Sequence, residues 1–434
     1  MSGGIIIAAP ASGSGKTTVT LGLLRALRNA GRAPVSAKVG PDYIDPGFHS
    51  AASGCPCLNL DSWAMRRETF AGIVHEREAK GGIVVAEGVM GLFDGATLRE
   101  GTTAEVAAHT GWPVVLVVDV GGMAGSVAAL VKGFAEFRGD VQVAGVIANR
   151  TGSERHASLI REALDTIGMP LLGHLPRNDA LHLPSRHLGL VMAREQHAIE
   201  TFLELAAAEV AAHVDLERVL ALANPTTLAE TGSDCTWAPL GQRIAVATDD
   251  AFSFTYPHVL DAWVKQGAQI LPFSPLANEA PDELADAVYL PGGYPELHAG
   301  LLASNQRFLD GTRSLAAKGI SIFGECGGYM VLGEALEDAD GVAHNMLGLL
   351  PVVTSFAAPR LSLGYRRATL KTRCVLGPRG DEFTAHEFHF ATTLSVGEAA
   401  PLFTCKDARG VERGDYGLCR QAVAGSFIHL IDRA

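Results

Sequence analysis

The segment Gly3-Gly4-Ile5-Ile6-Ile7-Ala8-Ala9-Pro10-Ala11-Ser12-Gly13-Ser14-Gly15-Lys16-Thr17-Thr18 leaves few folds open to the chain. Its β-branched run Ile5–Ile7 reads as a buried strand, and Leu21, Leu24 and Leu27 recur at helical spacing across Thr17–Ala30. A strand, a loop of small residues and a helix N-terminus, in that order, form a cradle for phosphate. Backbone N–H groups and the helix dipole face the anion, a lysine reaches the outer phosphates, and the next hydroxyl can sit on Mg²⁺. Gly13, Ser14, Gly15, Lys16, Thr17 and Thr18 are therefore candidate nucleotide contacts. One departure stands out: the leading glycine of G-x-x-x-x-G-K-[ST] is Pro10 here.

The rest of the first half repeats strand and helix. Val35–Val39 reads as a strand leading into the Pro/Gly-rich loop Gly40-Pro41-Asp42-Tyr43-Ile44-Asp45-Pro46-Gly47-Phe48-His49. Two carboxylates three apart after a strand suit a metal–nucleotide complex, because ligands of open α/β sheets gather at strand C-terminal ends. Ile83–Gly88 is a further strand carrying Glu87 at its end, the place for a Mg²⁺ ligand. The Gly-rich Val89–Gly95 can carry Asp94 towards a substrate. Strands at Pro113–Val118, Val141–Ala148 and Leu171–Leu175 follow, with Asn149 and Pro176 where an adenine pocket could form. Such alternation predicts a mostly parallel sheet covered on both faces. A helical stretch over 195–223 reads as core packing, and Asn224–Gln242 lacks periodicity and reads as a linker.

Composition limits what such a chain can do. At 434 residues it exceeds one ordinary domain, and a net charge of −12 disfavours a nucleic-acid surface. An anionic substrate then needs a locally basic pocket. The longest apolar runs, such as Val114–Val118, fall far short of the ~20 residues of a membrane span, and no leader pattern opens the sequence. Seven cysteines lack zinc-type spacing, and Cys55-Pro56-Cys57 reads as ordinary packing. The expectation is a cytoplasmic protein without membrane or nucleic-acid partners; a homodimer is allowed.

The second half restarts the alternation with strands at Arg243–Ala247, Ile270–Phe273 and Ala287–Leu290, the last running into Pro291-Gly292-Gly293-Tyr294-Pro295-Glu296. Ile320–Phe323 then leads into Gly324-Glu325-Cys326-Gly327-Gly328-Tyr329-Met330. A cysteine between strand and helix, framed by glycine, is the thiol form of a nucleophile elbow. A helix N-terminus behind Cys326 is expected to favour its thiolate. The N–H groups of Gly293 and Gly327 are oxyanion-hole candidates. His386, His389 and His429 are all candidate bases, and His429 follows the short apolar run Gly425–Ile428.

These motifs together resemble the cobyrinic/hydrogenobyrinic acid a,c-diamide synthases of cobalamin biosynthesis. The resemblance spans nearly the whole chain, through APASGSGKTT, KVGPDYIDPGFH, AEGVMGLFDG, PGGYPE, GECGGYM, LGYRR, HEFHF and Ser426–His429. It implies two doubly wound α/β domains. The first, 1–195, is a P-loop amidoligase similar to dethiobiotin synthetase; 196–242 is a helical segment and linker; 243–434 is a flavodoxin-like class I glutamine amidotransferase. By this resemblance Cys326 is the nucleophile and His429 its base, and the triad glutamate two residues later is replaced by Ile431. The third member is then missing or supplied elsewhere.

The implied reaction uses ATP and Mg²⁺ to turn a corrinoid carboxylate into an acyl phosphate, while Cys326 frees ammonia from L-glutamine through a thioester. Thr17, Glu87 and Asp42 or Asp45 are expected near the metal. The other aspartate, Tyr43 and Asp94 are expected on the substrate, and Asn149 on the nucleotide. Metal-free hydrogenobyrinic acid is the expected substrate; cobalt-containing cobyrinic acid and a cobyric acid synthase are the alternatives. A non-catalytic tetrapyrrole- or nucleotide-binding regulator would have no use for both Lys16 and Cys326.

Overall fold

The computed structural model describes residues 3–181, 185–186, 189–190, 199–230 and 237–434, and these fall into two compact units. The first comprises Met1–Trp63 and Arg67–Ser233, the second Ala64–Arg66 and Asp234–Ala434.

In the first unit, β1 (Gly3–Ala8), α1 (Lys16–Asn29), β2 (Val35–Val39), α2 (Asp45–Ser53) and β3 (Leu58–Leu60) come first. Next are α3 (Arg67–Ala79), β4 (Ile83–Glu87), α4 (Thr103–Thr110), β5 (Val114–Asp119) and α5 (Ser126–Glu136). Then follow β6 (Val143–Thr151), α6 (Glu154–Asp165), β7 (Leu171–Pro176), a two-residue pair β8 (Ser185–Arg186) and β9 (Gly189–Leu190), α7 (Ile199–His213) and α8 (Leu216–Ala221). Seven strands form one parallel sheet in the order β3-β2-β4-β1-β5-β6-β7. The chain builds the β2–β4 half before crossing to β5–β7, so the loop after β1 opens at the topological switch point, where ligands bind.

Ile5, Ile6 and Ile7 are fully buried, as continuous β-branched runs in two-sided sheets demand. The apolar face of α1 buries Val19, Leu23, Leu24 and Leu27, each contributing roughly 2 kcal/mol. The expected helix at 195–223 is two: α7 and α8 break at Val214–Asp215, where the Asp215 carboxylate caps α8, and 195–198 lie outside the described residues. Helix α7 buries Leu203, Ala206, Ala207 and Val210, and Glu200 and Glu204 bind the Arg25 guanidinium at 2.8 and 2.9 Å.

Two loop expectations are corrected. The segment after β2 is not all loop, because Asp45-Pro46 starts α2, with proline where a helix needs no N–H. The start of the expected linker is anchored: Asn224 exchanges backbone hydrogen bonds with Gly4, and the Thr227 N–H donates to Thr110 O.

The second unit opens with β10 (Arg243–Ala247), α9 (Pro257–Lys265), β11 (Gln269–Phe273) and β12 (Ala287–Leu290). Helices α10 (Ala299–Ser304) and α11 (Gln306–Ala317), β13 (Ser321–Glu325) and α12 (Gly327–Leu332) follow. Strands β14 (Ala335–Glu337), β15 (Ala343–Asn345), β16 (Val352–Ser355), β17 (Ser362–Leu370), β18 (Glu382–His389) and β19 (Thr392–Val396) come next. The chain ends in β20 (Ala400–Asp407), β21 (Glu412–Arg420), β22 (Val423–Ser426) and β23 (Ile428–Arg433).

Ten strands make one sheet, β11-β10-β12-β13-β22-β21-β20-β17-β18-β23. It is parallel from β11 to β22 and antiparallel beyond. The antiparallel extension is absent from the doubly wound expectation. Its strands carry LGYRR and HEFHF, where buried Arg366, Glu387 and His389 pair with one another among apolar neighbours. The run before His429 also differs: β22 stops at Ser426, and His429 lies in β23, in register with His386 of β18.

Candidate active site

In the first unit the loop after β1 closes over the start of α1. Gly15 caps that helix at φ 85°, and a Cβ there would lie 2.1 Å from Asn149 Nδ2. Asn149, from the end of β6, donates to Ser14 O at 2.9 Å and so holds the loop. The Ser14 hydroxyl bonds Ala11 O at 2.9 Å, while Gly13 at φ 81° is exposed at the tip. Beside the loop opens a cavity of about 1060 Å³ lined by Gly15, Thr18, Asp119, Asn149, Pro176 and Arg177, among others. That volume accommodates a nucleotide.

Glu87 is the hub of this site. Its Oε1 accepts from Thr17 Oγ1 at 2.7 Å and Lys38 Nζ at 2.9 Å, with Lys16 Nζ at 3.9 Å; its Oε2 lies 2.6 Å from His49 Nε2. Lys38 also donates to Asp45 Oδ2 at 2.5 Å. Burial alone would raise the Glu87 pKa, yet Lys38, His49 and Lys16 hold it well below the usual carboxylate range. Burial likewise opposes charge on His49, but its hydrogen bonds to Cys57 and Glu87 outweigh that and raise it to about 10. Burial lowers the Lys16 pKa, while Asp45 and Glu87 keep Lys38 protonated against its own burial.

Asp42 Oδ1 caps its own turn, accepting from the Ile44 and Asp45 N–H groups at 2.8 and 3.0 Å. Burial, then Asp45, pushes it up to about 6. Tyr43 is buried. Asp94 is exposed and accepts from Gly91 N at 3.2 Å, in a loop whose Leu92 N–H donates to Ala9 O at 2.8 Å beside the phosphate loop.

Among the described residues no three His, Cys, Asp or Glu side chains gather as a metal cage. A hard cation carried by phosphates needs only one or two protein oxygens, and Thr17 Oγ1 with Glu87 Oε1 offers that pair. The donor set fits Mg²⁺.

In the second unit Cys326 stands between β13 and α12 at φ 47°, ψ −104°, a strained elbow held by its N–H donating to Ser426 O at 2.8 Å. The expected low thiol pKa is not met in this geometry. Burial raises it, the Glu296 carboxylate adds to that, and a six-residue helix with one Gly327 N–H bond does not compensate. A Cβ added to Gly292 would meet His429 Cε1 at 2.4 Å, His429 Nε2 at 3.2 Å and Cys326 Cβ at 3.2 Å, so the three converge. Burial, with His386 and His389 beside it, pushes His429 down to about 3. Thiol and imidazole therefore rest neutral.

A Cβ at Gly327 would lie 3.0 Å from Gly293 N, which brings the two oxyanion candidates together. His389 is committed elsewhere: Nε2 to Glu387 Oε1 at 3.0 Å, Nδ1 to Ala391 O at 3.0 Å, and its ring stacked 4.0 Å over Phe427. Arg366 closes the far side of Glu387 at 2.5 Å.

Sequence reasoning passed over Lys38, His49, Glu296 and Glu325. The signal for Lys38 and Glu325 was present: a charge inside a strand otherwise built to be buried needs a partner.

A family model described as a CobQ/CobB/MinD/ParA nucleotide binding domain matches residues 5–191, and one described as a CobB/CobQ-like glutamine amidotransferase domain matches residues 243–433. The hydrogenobyrinate a,c-diamide synthase of Rhizobium meliloti (strain 1021) is 55% identical over 434 residues, 99% of each chain. That of a Sinorhizobium species is 53% identical over 433 residues, again 99% of each. The Brucella anthropi protein of the same name is 52% identical over 436 residues, covering 99% of this chain and 98% of its own.

Proposed function

We propose, from the premise that this chain belongs to the hydrogenobyrinate a,c-diamide synthase family, that it amidates the a and c carboxylates of hydrogenobyrinic acid using ATP and glutamine. The observation that carries the reading is that one chain holds both a phosphate loop gathered on a buried carboxylate and a strained cysteine facing a buried histidine.

A carboxylate resists ammonia because resonance weakens its carbonyl and oxide is a poor leaving group. In the first domain, residues 1–195, the substrate carboxylate oxygen attacks the γ-phosphorus of ATP, ADP departs, and an acyl phosphate remains. Lys16 and Lys38 stabilise the charge that develops, and Mg²⁺, held by Thr17, Glu87 and the Asp42 side, supplies further neutralisation when bound. Tyr43 and Asp94 orient the corrinoid, while Asp45 is engaged by Lys38. Gly13, Ser14, Gly15, Thr18 and Asn149 hold the nucleotide.

Past the connecting stretch 196–242, the domain over 243–434 supplies nitrogen. Cys326 Sγ attacks the side-chain carbonyl carbon of glutamine as its proton passes to His429, and the N–H groups of Gly293 and Gly327 receive the oxyanion. Ammonia leaves, a γ-glutamyl thioester forms, and water later releases glutamate. Ammonia attacks the acyl carbon as free NH₃, the amide forms and inorganic phosphate leaves, so ammonia must stay shielded in transit; leakage into an external trap in step with product would contradict this. The protein works in the cytoplasm.

The test is purified protein with ATP-Mg, glutamine and each corrinoid in turn. Diamide from hydrogenobyrinic acid is expected. Product from cobyrinic acid alone would shift the reading to the cobalt substrate, and no product from either would end it.

A further inference from the structure

Ile431 occupies the position where class I amidotransferases carry the glutamate of the triad, yet a carboxylate does stand beside the histidine. Glu325, the residue before the nucleophile, ends β13 with its side chain buried. Its Oε2 lies 4.0 Å from His429 Nδ1 and accepts from the Tyr289 hydroxyl at 2.6 Å; its Oε1 accepts from the Leu430 N–H at 3.0 Å. The carboxylate is thus pinned by a phenol of β12 and by the backbone of the residue after His429. The imidazole is oriented to match, because its Cε1–Nε2 edge faces Gly292 and Cys326 while Nδ1 faces Glu325.

We propose that Glu325 is the positioning residue of His429, replacing the missing triad glutamate from the opposite direction along the chain. This rests on the glutaminase reading of Cys326. Glu325 Oε2 takes the His429 Nδ1–H, which fixes the tautomer with a bare Nε2 towards the thiol. On attack the Cys326 proton moves to Nε2, the sulfur lone pair forms the bond to the glutamine carbonyl carbon, and the imidazolium is stabilised by the carboxylate. The proton later leaves with the amine, so the balance needs nothing beyond glutamine and water.

A 4.0 Å separation is a loose contact, and such contacts tighten when a reacting complex forms. The electrostatics suit a carboxylate that awaits its partner: burial raises Glu325 to about 7, with the Tyr289 and Leu430 bonds pulling the other way. The other ionisable groups bearing on this set are Tyr256 beside Tyr289, His386 and His389 beside His429, and Glu296 and Glu387 acting on Cys326.

The test is Glu325→Gln, a steric twin that can still accept from Leu430 N–H. Expected is a loss in glutaminase kcat on the order of a hundredfold with KM for glutamine within about threefold, in the pattern of a disturbed triad. Glu325→Asp, which keeps a carboxylate, should recover at least about tenfold of that loss with KM for glutamine unchanged, which a merely structural role would not do. A kcat for Glu325→Gln within about threefold of the native value would overturn the proposal. If Glu325→Gln fails to fold, Tyr289→Phe removes the hydroxyl that pins Oε2: roughly a tenfold fall in kcat with KM for glutamine within about threefold supports the assignment, and no change overturns it. Cys326→Ala separates the two readings. Should it keep glutamine turnover, the glutaminase reading fails; should it be inactive while Glu325→Gln is normal, only this inference fails.

Discussion

Both chambers lie at the C-terminal ends of parallel strands, yet they handle charge in opposite ways. Around Glu87 the protein buries a dense charged network, in which Lys16, Lys38 and His49 face Glu87 and Asp45. Around Cys326 it buries a thiol and an imidazole that are neutral, each held so by burial. The difference follows the chemistry. Phosphoryl transfer has charge on the reactants before anything happens, so a field prepared in advance is useful. Thioester formation starts from a neutral amide, and a permanent thiolate would be costly to keep buried beside the Glu296 and Glu387 carboxylates. Charge there appears only in step with attack.

The sharpest way to break the contrast is to disable each chamber and vary the nitrogen source. Cys326→Ala should lower glutamine-dependent amidation by on the order of 10⁴-fold or more, with ammonium salts still supporting product. Lys16→Ala should lower amidation by roughly 10³-fold with either nitrogen source, because it strikes the activation step. Product formation with glutamine and with ammonium chloride, compared for each variant, decides both. Were Lys16→Ala selective for glutamine, the two chambers would not be separable as described.

A gentler perturbation probes how tightly the neutral pocket is set. A methyl at Gly292 would meet His429 Cε1 at 2.4 Å and must displace the ring. Gly292→Ala should therefore cost glutamine hydrolysis about a hundredfold, the penalty of a misplacement near 1 Å, while nucleotide binding is unchanged. Isothermal titration with an ATP analogue alongside a glutaminase assay checks the pair.

How much of this was legible beforehand differs between the chambers for a physical reason. The phosphate site is written locally: β1, the loop and α1 are contiguous, and Val35–Val39 and Ile83–Glu87 declare themselves as buried runs. Glu87, Thr17 and Lys16 could be placed from those runs alone. Lys38 announces itself as a charge inside the buried run Val35–Val39, but its partners Asp45 and Glu87 are named only by the fold. The thiol site is assembled from β12, β13, β22 and β23, which are distant in sequence, so the glycine frame marks Cys326 but nothing local marks Glu325 as its neighbour's partner. The antiparallel strands β17, β18, β20 and β21 escaped for a similar reason: their burial follows neither a strict alternation nor the continuous run of a doubly wound sheet, and only pairing reveals them.

The smallest effect is read as stability and not as turnover. His49 has a folded pKa of about 10 against an ordinary value of 6.5, so its charged contact with Glu87 contributes stability that is complete below pH 6.5 and fades as pH rises towards 10. His429 is displaced the other way, to about 3. Its unfolded form binds more protons between pH 6.5 and 3, so the second unit loses stability as pH falls through that window. These two histidines therefore weaken their units on opposite sides of neutrality, beside an acid-side loss at Glu87 and an alkaline-side loss at Cys326. Hydrogen exchange, corrected for its intrinsic pH dependence, should show the β1–β4 amides of the first unit loosening towards pH 10. The β13 and β23 amides of the second should loosen towards pH 4. His49→Gln, which can still donate to Glu87, should flatten the alkaline slope by the equivalent of a few degrees in Tm, at about 2–4 °C per kcal/mol for a unit of this size. If the alkaline slope of the first unit is the same in His49→Gln as in the native protein, the charged chamber does not act as described.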